Sequence, residues 1–236
     1  QQYQTERPVS YSNWPTLDPI EHPTEIGWED TVHIDLAEID FSLAPAGYFA
    51  TYHAYPYYPD FISNDPVYQS FEDYIGQNSY LGYLSDLKNH YNRYPLIIAE
   101  YGVPSSWGSA HYSSSGMHHG GMSELEQGIF TIRMMNNIVE SGCGGGMYFA
   151  WIDEWFKRTW ITDPIDFNPE RRVLWHNITA AEQNFGLKKF ESNNTPFQTF
   201  ETFNDTCPIS EVSIKTDFSF FSLKLNIKNE LTDIDT

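Results

Sequence analysis

Glu100 closes an unbroken apolar run, Pro95-Leu96-Ile97-Ile98-Ala99, and is followed by Tyr101 and Gly102. Such a run, entered from a proline and left by a glycine, predicts a strand buried on both faces, the kind a parallel sheet makes. A carboxylate at the end of that strand is costly unless it is paired or hydrogen-bonded. Glu100 is therefore the leading catalytic candidate; the competing reading is a solvated Glu, or one that holds Arg or Lys across a loop. Polar and aromatic residues recur at three comparable places: Asn13 and Trp14, then His53 and Tyr55, then Trp151, Asp153 and Glu154. A sheet that served structure alone would not need them at every end.

The elements that must carry these residues follow from the apolar pattern. Pro8 to Trp14 predicts a short strand stopped by Pro15, Tyr48 to Tyr55 a second, Pro95 to Gly102 a third and Met147 to Ile152 a fourth. Between Tyr80 and Tyr94, Leu81, Leu84, Leu87 and Tyr91 fall three or four apart, the stripe of an amphipathic helix. A second helix opens at Ser123, an N-cap with Glu126 three residues on, and its expected buried face is Ile129, Ile132, Met135, Ile138 and Val139. Strand, loop, helix and strand in this rhythm predict an α/β fold with a parallel sheet, whose chemistry sits at the C-terminal strand ends. The long loop from Val103 to Met122 lacks any period and exceeds a mere connection.

Past Trp175 the rhythm stops. Ala180 to Gly186 reads as a helix end or capping segment, and Asn193 to Cys207 as a polar linker. Val212 to Lys215 and Phe218 to Ile227 then alternate like two antiparallel strands. The expected division is a catalytic unit over 1–192, a linker over 193–207 and a β segment of a further domain over 208–236.

Bulk properties remove several classes of function. Lys+Arg 13 against Asp+Glu 32 gives a net charge of −19, which repels nucleic acid and anionic membrane surfaces. No apolar run is long enough for a membrane span. Cys143 and Cys207 are the only cysteines, so disulfides do not hold the fold together, and no cofactor is called for. His111, His118 and His119 with Glu124 invite a metal reading, but their loop lacks the helical i, i+4 spacing that would support it. Sixteen Tyr and seven Trp supply many rings that are apolar on the face and polar at the edge, which suits sugar binding as well as a large aromatic core.

With those strand ends in view, the chain resembles the second half of the catalytic (β/α)8 barrel of retaining glycoside hydrolases of clan A, a group that includes β-galactosidases, β-mannanases and cellulases. Ile97-Ile98-Ala99-Glu100-Tyr101-Gly102 looks like the clan's seventh strand, which ends in the nucleophile. His53-Ala54-Tyr55 matches the end of its sixth strand, whose tyrosine hydrogen-bonds that nucleophile, and Trp151 matches the tryptophan that floors the first sugar site after the eighth. The order and spacing agree from about Arg7 to Gly186. The resemblance implies a partial TIM barrel of about four βα units.

One feature departs from the clan. Its general acid/base is a Glu after an Asn at the end of strand four, and no Asn-Glu precedes Asn13; Asn229-Glu230 lies in the C-terminal segment. The resemblance places Pro8 to Trp14 at strand five, so the acid/base is expected upstream of Gln1 and this stretch alone is expected to be inactive. By the same resemblance Glu100 attacks the anomeric carbon, Tyr55 orients it, His53 touches a substrate hydroxyl, and Trp151 stacks on the sugar. Asn13, Trp14, Tyr101, Trp107, Asp153 and Glu154 are expected to line the substrate, with Trp155 and Trp160 as extensions of the platform. The expected partner is an oligo- or polysaccharide, in a secreted or periplasmic setting. Gln1-Gln2-Tyr3 itself shows neither an initiator Met nor a signal peptide. Half a barrel has open edges, so a homodimer covering the exposed sheet is a further expectation. The alternative function is a non-catalytic carbohydrate-binding protein that keeps the aromatic floor.

Overall fold

The computed structural model describes residues 5–27, 32–154, 156–159, 180–189, 197–201, 208–216 and 221–228. It holds a four-stranded parallel sheet, β1 (Ser12–Asn13), β2 (Ala50–His53), β3 (Leu96–Tyr101) and β4 (Gly146–Tyr148), in the spatial order β1-β2-β3-β4. Strand order follows chain order, each strand pairing in parallel with the one before it. Among the described residues four α-helices lie between and around them: α1 (Asp60–Asn64), α2 (Pro66–Gln69), α3 (Ser79–His90) and α4 (Glu124–Glu140). A separate antiparallel sheet joins β5 (Gln198–Glu201), β6 (Ile209–Thr216) and β7 (Phe221–Ile227). The last two are the strands the alternation predicts; β5 falls inside the stretch read as linker.

One face of the parallel sheet makes the core. Ala50, Tyr52 and Ala54 from the β2 segment, with Leu96 and Ile98 from β3, are fully buried with Leu84, Leu87 and Tyr91 of the α3 region and Met134 and Ile138 of α4. Burial of that apolar surface is the main favourable contribution to folding. The tyrosines there keep their hydroxyls paired: Tyr52 with Tyr91 at 2.9 Å, and Tyr80 donating to the Ala54 carbonyl at 3.0 Å. On the opposite face Ile97 and Ala99 are half-buried, while Tyr11 and Met147 at the sheet's two sides are exposed.

α3 buries the stripe that its spacing predicts, and Asn78 caps it by accepting from the Leu81 N–H. α4 begins in a capping box, with Ser123 Oγ accepting from Glu126 N and Glu126 Oε2 accepting from Ser123 N. Its buried face is the expected one only in part: Ile138 is buried and Met135 packs half-buried against the core, but the other three expected residues lie outside. Ile129, Ile132 and Val139 are 45%, 62% and 61% exposed, whereas Gln127, Arg133, Met134, Asn137 and Ile138 face inward. The cause is a polar cluster beneath the helix. The Arg133 guanidinium grips both Asp73 oxygens at 2.8 and 2.9 Å and three backbone carbonyls, and Asn137 and Asn78 complete the shell of the Asp73 carboxylate. Burial works to raise the Asp73 pKa, but these partners outweigh it and hold the carboxyl well below its usual range. Ala180 to Gly186, read as a helix end, is irregular here and contributes buried Ala180, Ala181 and Phe185.

Among the described residues no helix is long and apolar enough to cross a membrane.

Candidate active site at the end of the third strand

β3 carries a bulge that decides where Glu100 points. Thr51 pairs with Ile97 and Tyr52 with Ile98, but His53 pairs with Glu100, so Ala99 is the extra residue. Side chains alternate along a strand, and without the bulge Glu100 would point with Ile98 into the helix-packed core. The extra residue turns it to the open face, beside His53. Tyr101 falls on the core side in consequence, with its ring buried edge-on against Tyr148 at 5.7 Å. The ring expected at the substrate is therefore core.

The carboxylate meets two side chains from β2 and the loop behind it. Tyr55 donates its hydroxyl to Glu100 Oε2 at 2.8 Å, and His53 Nδ1 lies 3.2 Å from the same oxygen. The Glu100 side chain keeps 26% of its surface in solvent, so it sits at a rim rather than in the interior. Burial, then neighbouring Tyr57 and Glu100, push the Tyr55 phenol far above its ordinary range, so it remains a proton donor to the charged carboxylate. The Tyr80 hydrogen bond to the Ala54 carbonyl fixes the backbone just ahead of Tyr55. Trp14 flanks the pair, its ring 4.9 Å from His53 and stacked 6.4 Å from Tyr55, and it is 41% exposed.

A row of rings leads from Tyr55 to a second carboxylate that the sequence reading did not single out. Tyr57 lies 5.5 Å from Tyr55 and stacks face to face on His119 at 4.4 Å, and His111 lies beside both, nearly parallel, 5.6 Å from His119 and 6.4 Å from Tyr57. His119 Nε2 is 3.1 Å from Glu182 Oε1, and Lys157 Nζ is 3.3 Å from Glu182 Oε2. Burial works to raise the Glu182 pKa, but His119 and Lys157 bring it below its usual value and keep it ionised near neutrality. Lys157 also pairs with Glu154 at 3.2 Å and lies over the Phe149 ring at 4.3 Å. Glu182 belongs to the segment read as a helix end, and nothing in its spacing ties it to His119 sixty residues away.

The remaining predicted residues divide. Asn13 is buried and spends its amide on the Leu17 and Ile34 carbonyls and the Tyr52 hydroxyl, while its oxygen accepts from Trp14 N; it shapes the entry loop and sets Trp14. Trp151 follows β4 and is 69% exposed, with no ring contact to Tyr55 among the described residues. Trp107 is equally exposed in the long loop after β3. Asp153 is buried, accepting from Asn184 Nδ2 at 3.1 Å and Gly186 N at 2.8 Å. Trp155 and Trp160 lie outside the described residues. The four side chains of the metal reading do not converge: His118 Nδ1 accepts from Ser113 N, Glu124 pairs with Lys189, and His111 faces Asp60. Among the described residues no group of three or more His, Cys, Asp or Glu is gathered as a metal ion would need.

No family model and no curated protein matches this chain.

Proposed function

We propose that Glu100 is the nucleophile of a retaining glycosidase centre, carried by an arc of a (β/α)8 barrel. The observation that carries the reading is the Tyr55–Glu100 hydrogen bond at the C-terminal end of a parallel strand, with His53 on the same oxygen. A phenol that donates to the ionised carboxylate, and cannot itself be deprotonated near neutrality, orients an attacking oxygen without taking its charge. Trp14 offers an exposed ring beside it for the apolar face of a sugar. The sequential strand order supports a barrel arc, because a doubly wound sheet reverses its order at a switch point.

Retention needs a second carboxyl group ~5 to 5.5 Å from the nucleophile to protonate the leaving oxygen. Glu182, ionised through His119 and Lys157, is a poor proton donor, so in this reading the acid comes from a preceding strand. The test is Glu100→Ala in a polypeptide that includes both carboxyl groups. With an activated aryl glycoside and azide it is expected to yield the glycosyl azide of inverted configuration. Full hydrolytic activity in that variant would remove the reading. An inactive wild type that still binds the saccharide would favour the non-catalytic carbohydrate-binding alternative, which the exposed Trp14, Trp107 and Trp151 also suit.

A further inference from the structure

We propose that the cleft between the first turns of α4 and the 184–189 segment is a second binding site, for a small neutral polyhydroxylated ligand of monosaccharide size. Its volume is about 290 Å³, at the small end of the range for ligand sites. None of its lining touches Glu100, Tyr55 or His53, and Asp153, expected at the Glu100 substrate, lies here instead; the inference does not rest on the glycosidase reading, since it asks for no reaction at Glu100.

Gly128 is the first reason. It lies inside α4, where glycine is disfavoured relative to alanine, yet a Cβ built there would meet no atom of the described residues within 4 Å. Among the described residues no neighbour forbids a side chain at that exposed position. What the missing side chain preserves is open space at the cleft wall. Asp153 is the second. Its buried carboxylate accepts two hydrogen bonds, from Asn184 and from the Gly186 N–H, and an ionised carboxylate has about four acceptor sites. Burial, the leading influence, pushes its pKa up despite those bonds, as expected of a carboxylate that has surrendered water without full replacement.

The lining also selects the class of ligand. Gln127 commits its amide N–H group to the Asn184 carbonyl, which leaves the wall with the Asp153 carboxylate as acceptor, the Ser105 and Thr131 hydroxyls and the paired Lys189 ammonium. A ligand whose groups both donate and accept hydrogen bonds, as hydroxyls do, fits such a wall. Two carboxylates, Asp153 and Glu124, disfavour an anion, and the Lys189 ammonium, paired with Glu124 at 3.5 Å, offsets one of them. Exposed Leu187 adds an apolar patch for the C–H face of a pyranose.

The experiment is an amide NMR titration of the whole chain with D-glucose, D-galactose and D-mannose, with acetate and ethylammonium as charged controls. At least one sugar is expected to shift the amides of Ser105, Gly128 and Asn184 saturably, with a Kd on the order of millimolar for so small a ligand. Gly128→Phe, which fills the space from an exposed helix position, is expected to weaken binding at least tenfold with an unchanged melting temperature. Leu187→Asn, at another exposed position, is expected to weaken it at least threefold. Glu100→Gln is expected to bind as the wild type does, which separates this site from the Glu100 centre. No saturable shift with any sugar, equal affinity in both cleft variants, loss of the shifts in Glu100→Gln, or tighter binding of either charged control would overturn the proposal.

Discussion

Glu100 Oε2 takes both polar contacts of its centre, from Tyr55 and His53, and Oε1 has no partner among the described residues. The two oxygens are thus inequivalent before any substrate arrives, and the proposed nucleophile has one oxygen held and one at liberty. Removing the holder tests this. A hydrogen bond to a charged group contributes ~1.5 to 3 kcal/mol, so Tyr55→Phe is expected to lower kcat/KM by ~10- to 150-fold. Steady-state kinetics on an activated glycoside checks it; an unchanged kcat/KM would make Tyr55 a core tyrosine with an incidental contact. The position of Glu100 at a strand end was legible in the sequence because an ionisable group ending an apolar run is conspicuous, whereas the contact of Tyr55 and His53 with it was implied only by the family resemblance. The geometry was not, because it depends on Ala99 standing unpaired, and a bulge leaves no mark in the residue pattern. Tyr101 went astray for the same reason, its side set by a register that alternation alone does not give.

Among the elements, β2, β3 and α3 were readable because each buries an uninterrupted run or a clean stripe. α1 and α2 were not: at five and four residues they are too short for a period, and α2 is held by Asp65 accepting from Val67 N with Pro66 in the first turn. α4 shows how a polar cluster overrides an apolar stripe, since Arg133 and Asn137 turn inward to Asp73 and leave Ile129, Ile132 and Val139 outside. Arg133→Met is therefore expected to cost ~3 to 5 kcal/mol, the cost of removing the charged partner of a buried carboxylate that keeps only neutral donors. Urea unfolding measures it. The pH dependence has a definite sign. The folded-state pKa of Asp73 is depressed below its unfolded value of ~3.9, so its stabilisation is complete above that value and lost as the pH falls toward the folded one. The stability gap between wild type and Arg133→Met is expected to narrow below about pH 4. A gap constant from pH 7 to pH 3 would show that the pair is not the source.

At the scale of the whole molecule the net charge of −19 is a standing self-repulsion. The screening length falls from ~30 Å at 0.01 M salt to ~10 Å at 0.1 M, so the melting temperature is expected to rise by a few degrees over that range of sodium chloride. Differential scanning calorimetry checks the direction; a fall would mean that attractive pairs such as Lys157 with Glu154 and Glu182 outweigh the repulsion. The sequential order of the parallel strands bears on how the chain acquires its shape during synthesis. Every strand after the first docks onto a neighbour that the ribosome has already released, and none has to wait for a distant later segment to fill a gap between two others. The sheet can therefore grow by one rung at a time over roughly 7 to 27 s of translation, at ~5 to 20 residues per second. Glu100 and Tyr55 would meet as soon as the third rung is laid, well before the last one emerges.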